Sequence, residues 1–161
     1  MDATAELLQT ADWTSLLALA AALGWASGVR LYLVVFLTGA LASVGWLPFA
    51  LPAGLQVLTH PLMLSASFAL LVVEFLADKV PGIDSAWDAV QAFIRVPAGA
   101  ALAGAVFGAD HATMATVSAL LGGSLAATAL ATKASTRLAA NTSPEPFSNW
   151  GLSFLEDGLV L

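Results

Sequence analysis

The chain has 161 residues, of which 59% are hydrophobic and only 10% charged, and its formal net charge is −6. Its mean hydropathy is +0.87, far from a soluble domain, where about a quarter of residues are charged. The five basic residues form no patch for nucleic acid, and the lack of cysteine removes disulfides, thiolate catalysis and thiolate metal ligation.

A bilayer core about 30 Å thick calls for roughly 20 apolar residues per helix, and backbone withdrawn from water must be helical or barrel-closed. Uncharged apolar runs recur at 13–29, 31–59, 60–73, 96–109 and 112–132. They predict an all-α, polytopic helical membrane protein of about five spans, some of them short, broken or re-entrant. The first twelve residues form an acidic tail with Asp2, Glu6 and Asp12. This tail lacks the basic region of a signal peptide, so the chain from Trp13 onward is expected to be retained.

The membrane domain is expected over 13–146, with spans at 13–29, 30–46, 61–79, 85–107 and 113–133 alternating in direction. Arg30, Lys79, Arg95, Lys133 and Arg137 then all fall near the inner face, while 45–60 and 108–112 carry no basic residue and face out. The first span, about 16 residues, is short unless the bilayer thins or the segment is re-entrant. Pro48, Pro52, Pro81-Gly82, Pro144 and Pro146 punctuate this layout. The apolar loop 47–59 is expected in the interface. Residues 147–161 place Trp150, Phe154 and Leu161 at roughly helical spacing, too short to span and suited to lying along, or dipping into, the inner surface.

Gly24/Gly28 and Gly104/Gly108 read as two G-x-x-x-G pairs, and Gly122-Gly123 with Ala126 as a third small-residue face, all suited to close helix contact. Two alignments at nearly the same offset suggest an internal repeat over about 29–91 and 94–155. One sets Val29-Arg30-Leu31 against Ile94-Arg95-Val96; the other matches P-x-x-x-S-x-W at Pro81–Trp87 with Pro144–Trp150. Coincidence of apolar composition is the competing account.

The densest polar text runs from Glu74 to Asp88. Glu74 and Asp78 are four apart and share a helical face, with Glu74 about 7 Å inside the helix end. Ionisable groups at such depth face a bundle interior, a cavity or a countercharge. Candidate countercharges are Arg30 and Arg95, together with Lys133 and Arg137, whose i, i+4 face Asn141 extends. The binding candidates are therefore Glu74, Asp78, Arg30, Arg95, Lys133, Arg137 and Asn141, with Asp84, Ser85, Asp88 and Ser148 secondary. Against this stands a ring of ion pairs that fixes helix register, with arginines reaching lipid phosphates. Asp84, Ser85 and Ser148 also read as helix N-caps, and Trp13, Trp25, Trp46, Trp87 and Trp150 as interfacial anchors. His60, His111 and Asp110 are too thin for a metal site, so no metal or cofactor is expected. The zincin, nucleophile-elbow, P-loop and dinucleotide patterns are missing.

Three segments carry a resemblance: Gly24-Trp-Ala-Ser-Gly28-Val-Arg30-Leu-Tyr32, Glu74 through Asp88, and Thr132-Lys133 through Arg137 and Asn141 to Asn149. They resemble a bacterial integral membrane family catalogued only as domain of unknown function 4126. The resemblance spans roughly 13–157 and implies a small multi-span protein of the bacterial inner membrane, without supplying a reaction, substrate or site.

Three functions remain open, the last a lipid-modifying enzyme, for which Ser85, Ser148 and the carboxylates are available but no activating base pairs with them in sequence. The first is a small transporter or channel-like protein, homo-oligomeric because so few spans make a narrow bundle, with an inner-side polar site for a solute or ion. The second is a non-catalytic membrane subunit or organiser whose partners are lipid head groups and the helices of another membrane protein. A hydrated cavity at Glu74 and Asp78 favours the first; a dry, fully paired cluster favours the second.

Overall fold

The computed structural model describes residues 13–80, 83–141 and 147–160, and the described residues are helical or looped, without strands. The acidic tail and the prolines at 81, 144 and 146 lie outside them. Among the described residues five α-helices follow one another: α1 Trp13–Ser43, α2 Pro61–Ala77, α3 Ile83–Ala105, α4 Ala112–Asn141 and α5 Phe147–Val160. Short 3-10 segments, Ala53–Thr59 and Ala109–His111, precede α2 and α4.

Helix α1 is not one rod. Arg30 leaves helical geometry at φ −146°, ψ 81°, and residues on both sides of it, Ala22 and Ala26 with Val34 and Leu41, line a single cleft. On a straight helix Ala22 and Leu41 would lie about 28 Å apart, so the chain turns back on itself at Arg30. The break coincides with the boundary between the first two expected spans. It frees backbone carbonyls that an unbroken helix would satisfy, and the Val29 carbonyl accepts from Lys133 Nζ at 3.4 Å.

The bundle has two chemically distinct ends. At one, Trp13 stacks on Phe107 (5.8 Å between centroids) and meets His111 edge-on, while Gly54 lies against the Ala105 carbonyl. At the other sit Arg30, Asp78, Asp88, Lys133 and Arg137, joined by salt bridges. Each arm of α1, then α2, α3 and α4, runs between these ends.

The central contact joins α1, α3 and α4, and glycine makes it. A Cβ on Gly24 would enter the Gly122 backbone, and one on Gly28 would lie 2.8 Å from both Ala126 Cα and Ala129 Cβ. Gly99 and Gly122 complete the seam. Where lipid gives helices no hydrophobic drive to associate, this closeness supplies the packing that does. Gly108 departs from the expected G-x-x-x-G role. Helix α3 ends at Ala105, and Gly108 turns the chain at φ +65° with open space beside it.

Within the loop 47–59, the 3-10 segment buries Leu55 and Leu58, which three-residue spacing places on one edge. Helix α5 turns Phe154 outward, 57% exposed, and Glu156 inward, 6% exposed. Helix α2 starts on a His60 cap, whose Nδ1 accepts from the Leu62 amide at 3.2 Å, with Pro61 at the first position, where no N–H is needed.

Two stretches, Trp13–Ser43 and Ala109–Ala139, are long and apolar enough to cross a membrane; Ala53–Thr59 with Pro61–Ala77, bent by 68°, passes as a pair. These helices mark a membrane protein. Gly28→Ala should lower stability by about 1–3 kcal/mol through overpacking, read as the thermal unfolding midpoint in detergent. Gly151→Ala, on the open side of α5, should leave that midpoint unchanged or raise it.

Candidate functional site

Each helix presents one polar stripe to the same place. On α2 the only buried residues are Ser67 and Glu74, with Asp78 capping the stripe one turn later. On α3, Asp88, Gln91 and Arg95 follow at helical spacing and are all buried. On α4, Lys133 and Arg137 extend the seam of Gly122, Ala126 and Ala129. Arg30 comes from the corner of α1 and Glu156 from α5.

Among the described side chains these form one network of four cations and four carboxylates. Arg30 Nη1 lies 2.5 Å from Asp78 Oδ2, and Arg95 pairs with Glu74 and, at 3.0 Å, with Asp88. Lys133 Nζ stands 3.1 Å from Asp88 and 3.3 Å from Glu156. Arg137 takes both Glu156 oxygens at 3.0 Å and reaches Asp78 at 3.4 Å and Asp88 at 3.6 Å. Tyr32 and Gln91 exchange a hydrogen bond beside the network.

Arg30, Glu74, Asp78 and Arg95 each have 0% exposure, so no water-sized sphere touches them from outside or from an internal void. Removing an ion from water costs several kcal/mol even after relaxation, and only well-formed pairing offsets it. The arrangement is therefore a dry lock tying five elements together. An apolar groove of about 430 Å³ between α3 and α4, lined by alanines with Val96, Leu130 and Leu138, ends on Asp88 and Arg137.

With that geometry in hand, the comparison with known families is decisive on membership. The profile of the family described as domain of unknown function (DUF4126) matches residues 17–161. The chain belongs to this family. No curated protein and no solved structure matches it.

Of the expected candidates, this DUF4126 chain brings Arg30, Glu74, Asp78, Arg95, Lys133 and Arg137 together, and promotes Asp88 from a secondary place to a shared acceptor. Asp84 and Ser85 stand in the first turn of α3, Asn141 closes α4 and Ser148 lies in the first turn of α5; their side chains lie outside the described ones. Lys79 Nζ lies 3.0 Å from the Phe75 ring centroid and 5.2 Å from that of Phe154. Sequence reasoning missed Glu156. No local signal set it apart from Glu145 and Asp157, the other acidic residues after Lys133.

If pairing is what makes these charges tolerable, Arg95→Met and Glu74→Leu should each lower stability by about 3–5 kcal/mol, because each strands a buried charge. The double variant removes both charges of this pair and should recover most of that loss, read as a double-mutant cycle of unfolding midpoints. Additive losses would contradict the lock.

Proposed function

We propose that this protein is a non-catalytic, multi-pass subunit of the bacterial inner membrane. It crosses the bilayer about five times with its charged end inward, and it organises lipid and the helices of another membrane protein. The observation that carries this reading is the zero exposure and mutual pairing of Arg30, Glu74, Asp78 and Arg95. A permeant ion or solute needs polar groups it can reach, and these are closed against one another. The layout also puts the positive residues on one side, as the positive-inside rule requires.

Two surfaces suit the organising role. Helix α2 buries only Ser67 and Glu74 and leaves Leu62, Phe68, Val72 and Leu76 open, an apolar face for a partner helix. The groove ending on Asp88 and Arg137 suits an acyl chain, with a head group at the charged end. The small-residue faces, expected to dock partners, are spent on the chain's own α1–α3–α4 contact.

A second reading, transport by a homo-oligomer, is favoured by the break at Arg30 and the 68° bend before α2. Discontinuous helices are where transporters place their sites. In that reading the network is a closed inner gate.

Reconstitution decides between them. Proteoliposomes should pass protons, potassium and chloride no faster than empty vesicles under an imposed gradient, and a photo-crosslinker at Phe68 should trap one discrete membrane protein in cells. Flux that Glu74→Gln abolishes would overturn the subunit reading and establish the transporter.

A further inference from the structure

Helices α2 and α3 are joined at the charged end, where Arg95 pairs with Glu74, and otherwise barely touch. A cavity of about 480 Å³ lies between them. Leu31, Tyr32 and Val35 of the second arm of α1 form its back, Leu55 and Leu58 of the 3-10 segment close its outer end, and Ala98 and Leu102 give its α3 wall. Of the lining residues, Leu31, Leu55, Leu58 and Leu102 are buried, whereas Ala66 and Leu70 of α2 and Ala101 of α3 are exposed. The cavity therefore opens sideways, between α2 and α3. By helical spacing Val73 continues the face of Leu70 and Ile94 that of Ala101, and both are exposed, so the mouth is continuous with the apolar outer surface of these helices. The α3–α4 groove shares no lining residue with it.

The chemistry of the lining selects the occupant. Only Tyr32 and Ser67 bring a side-chain oxygen to it. The Tyr32 hydroxyl donates to Gln91 Oε1 at 3.2 Å and the Ser67 hydroxyl to the Met63 carbonyl at 2.6 Å, so both protons are spent inside the protein. A buried water needs about two to four polar partners, which this lining does not supply, and a polar head group finds no donor in it. A helix about 10 Å across fills roughly 400 Å³ in a single turn, so a partner helix does not fit either. Left empty, the lining would lack dispersion partners on one side. A flexible hydrocarbon chain supplies them, and the volume falls in the range of about 300–1,000 Å³ that holds a small ligand.

We propose that this cavity binds one acyl chain of a bilayer phospholipid, inserted sideways between α2 and α3 with its head group left outside. The acyl chain completes the packing of α2, which on its own buries only Ser67 and Glu74. The inference rests on α2 and α3 crossing the bilayer, as in the reading above, and holds for a subunit and for a transporter alike.

The test places the full-length protein in nanodiscs of phosphatidylcholine that carries a diazirine at the end of one acyl chain, irradiates them and maps the labelled residues by mass spectrometry. Labelling is expected at Tyr32, Val35 and Met63 on the half-buried lining, and at Phe68 and Phe93 on the outside. Ala101→Trp, at the exposed mouth, should lose the labelling of the lining and keep that of Phe68 and Phe93. Labelled Phe68 and Phe93 with an unlabelled lining, or a labelled lining that Ala101→Trp leaves unchanged, would overturn the cavity site alone. No labelling at any of the five positions would overturn it together with the crossing of α2 and α3.

A second measurement needs no variant. The wild type, stripped of lipid in detergent, should gain in unfolding midpoint on addition of phosphatidylcholine and stay unchanged with glycerophosphocholine, which has the head group without the acyl chains. An equal response to both compounds, or a response to neither, would refute an acyl-chain site.

Discussion

Ionisable side chains held away from water, eight of them among the described residues, impose the condition that the rest of this molecule satisfies. Their desolvation is so costly that the network persists only while every member keeps its partners, and those partners come from five separate elements. The corner of α1, the end of α2, the first half of α3, the last third of α4 and the inward face of α5 are therefore fixed relative to one another by one requirement. The break at Arg30 belongs to the same logic. It delivers a guanidinium to Asp78 and leaves the Val29 carbonyl for Lys133, so backbone irregularity and charge pairing solve each other.

The glycine seam makes that closure reachable. Gly24 and Gly28 let α1 lie against Gly122 and Ala126 of α4 at backbone distance, and Arg30 follows Gly28 by two residues while Lys133 and Arg137 continue the α4 seam. Close packing in the apolar half thus sets the spacing at which the charged half pairs. Dispersion contacts and ion pairs act here as successive segments of the same helix interfaces.

What could be seen in advance follows from how local each signal was. The depth of Glu74 and Asp78 and their shared face were written in four-residue spacing, and Arg30 stood between two apolar runs, so their place in a cluster was legible. Gly104 and Gly108 share a spacing with packing glycines, yet only Gly104 packs, because spacing alone does not encode the positive φ at Gly108. Helix α5 was harder. Phe154 and Glu156 are two residues apart, roughly 200° around a helix, and so short an amphipathic pattern fits either face inward. Three cations from distant parts of the chain decided it, turning Glu156 in at the expense of Phe154. The burial of Leu55 and Leu58 was hidden for a related reason, since an apolar loop and an apolar 3-10 turn have the same composition.

The central claim is that the charged cluster is dry. Water-edited solid-state NMR of the protein in lipid bilayers, with labelled arginine and lysine side chains, tests it directly. Polarisation from water should reach the Lys79 ammonium quickly and the Arg30 and Arg95 guanidiniums only slowly, on the time scale of transfer through the protein. Fast transfer to Arg30 and Arg95 would place water against them and contradict the account.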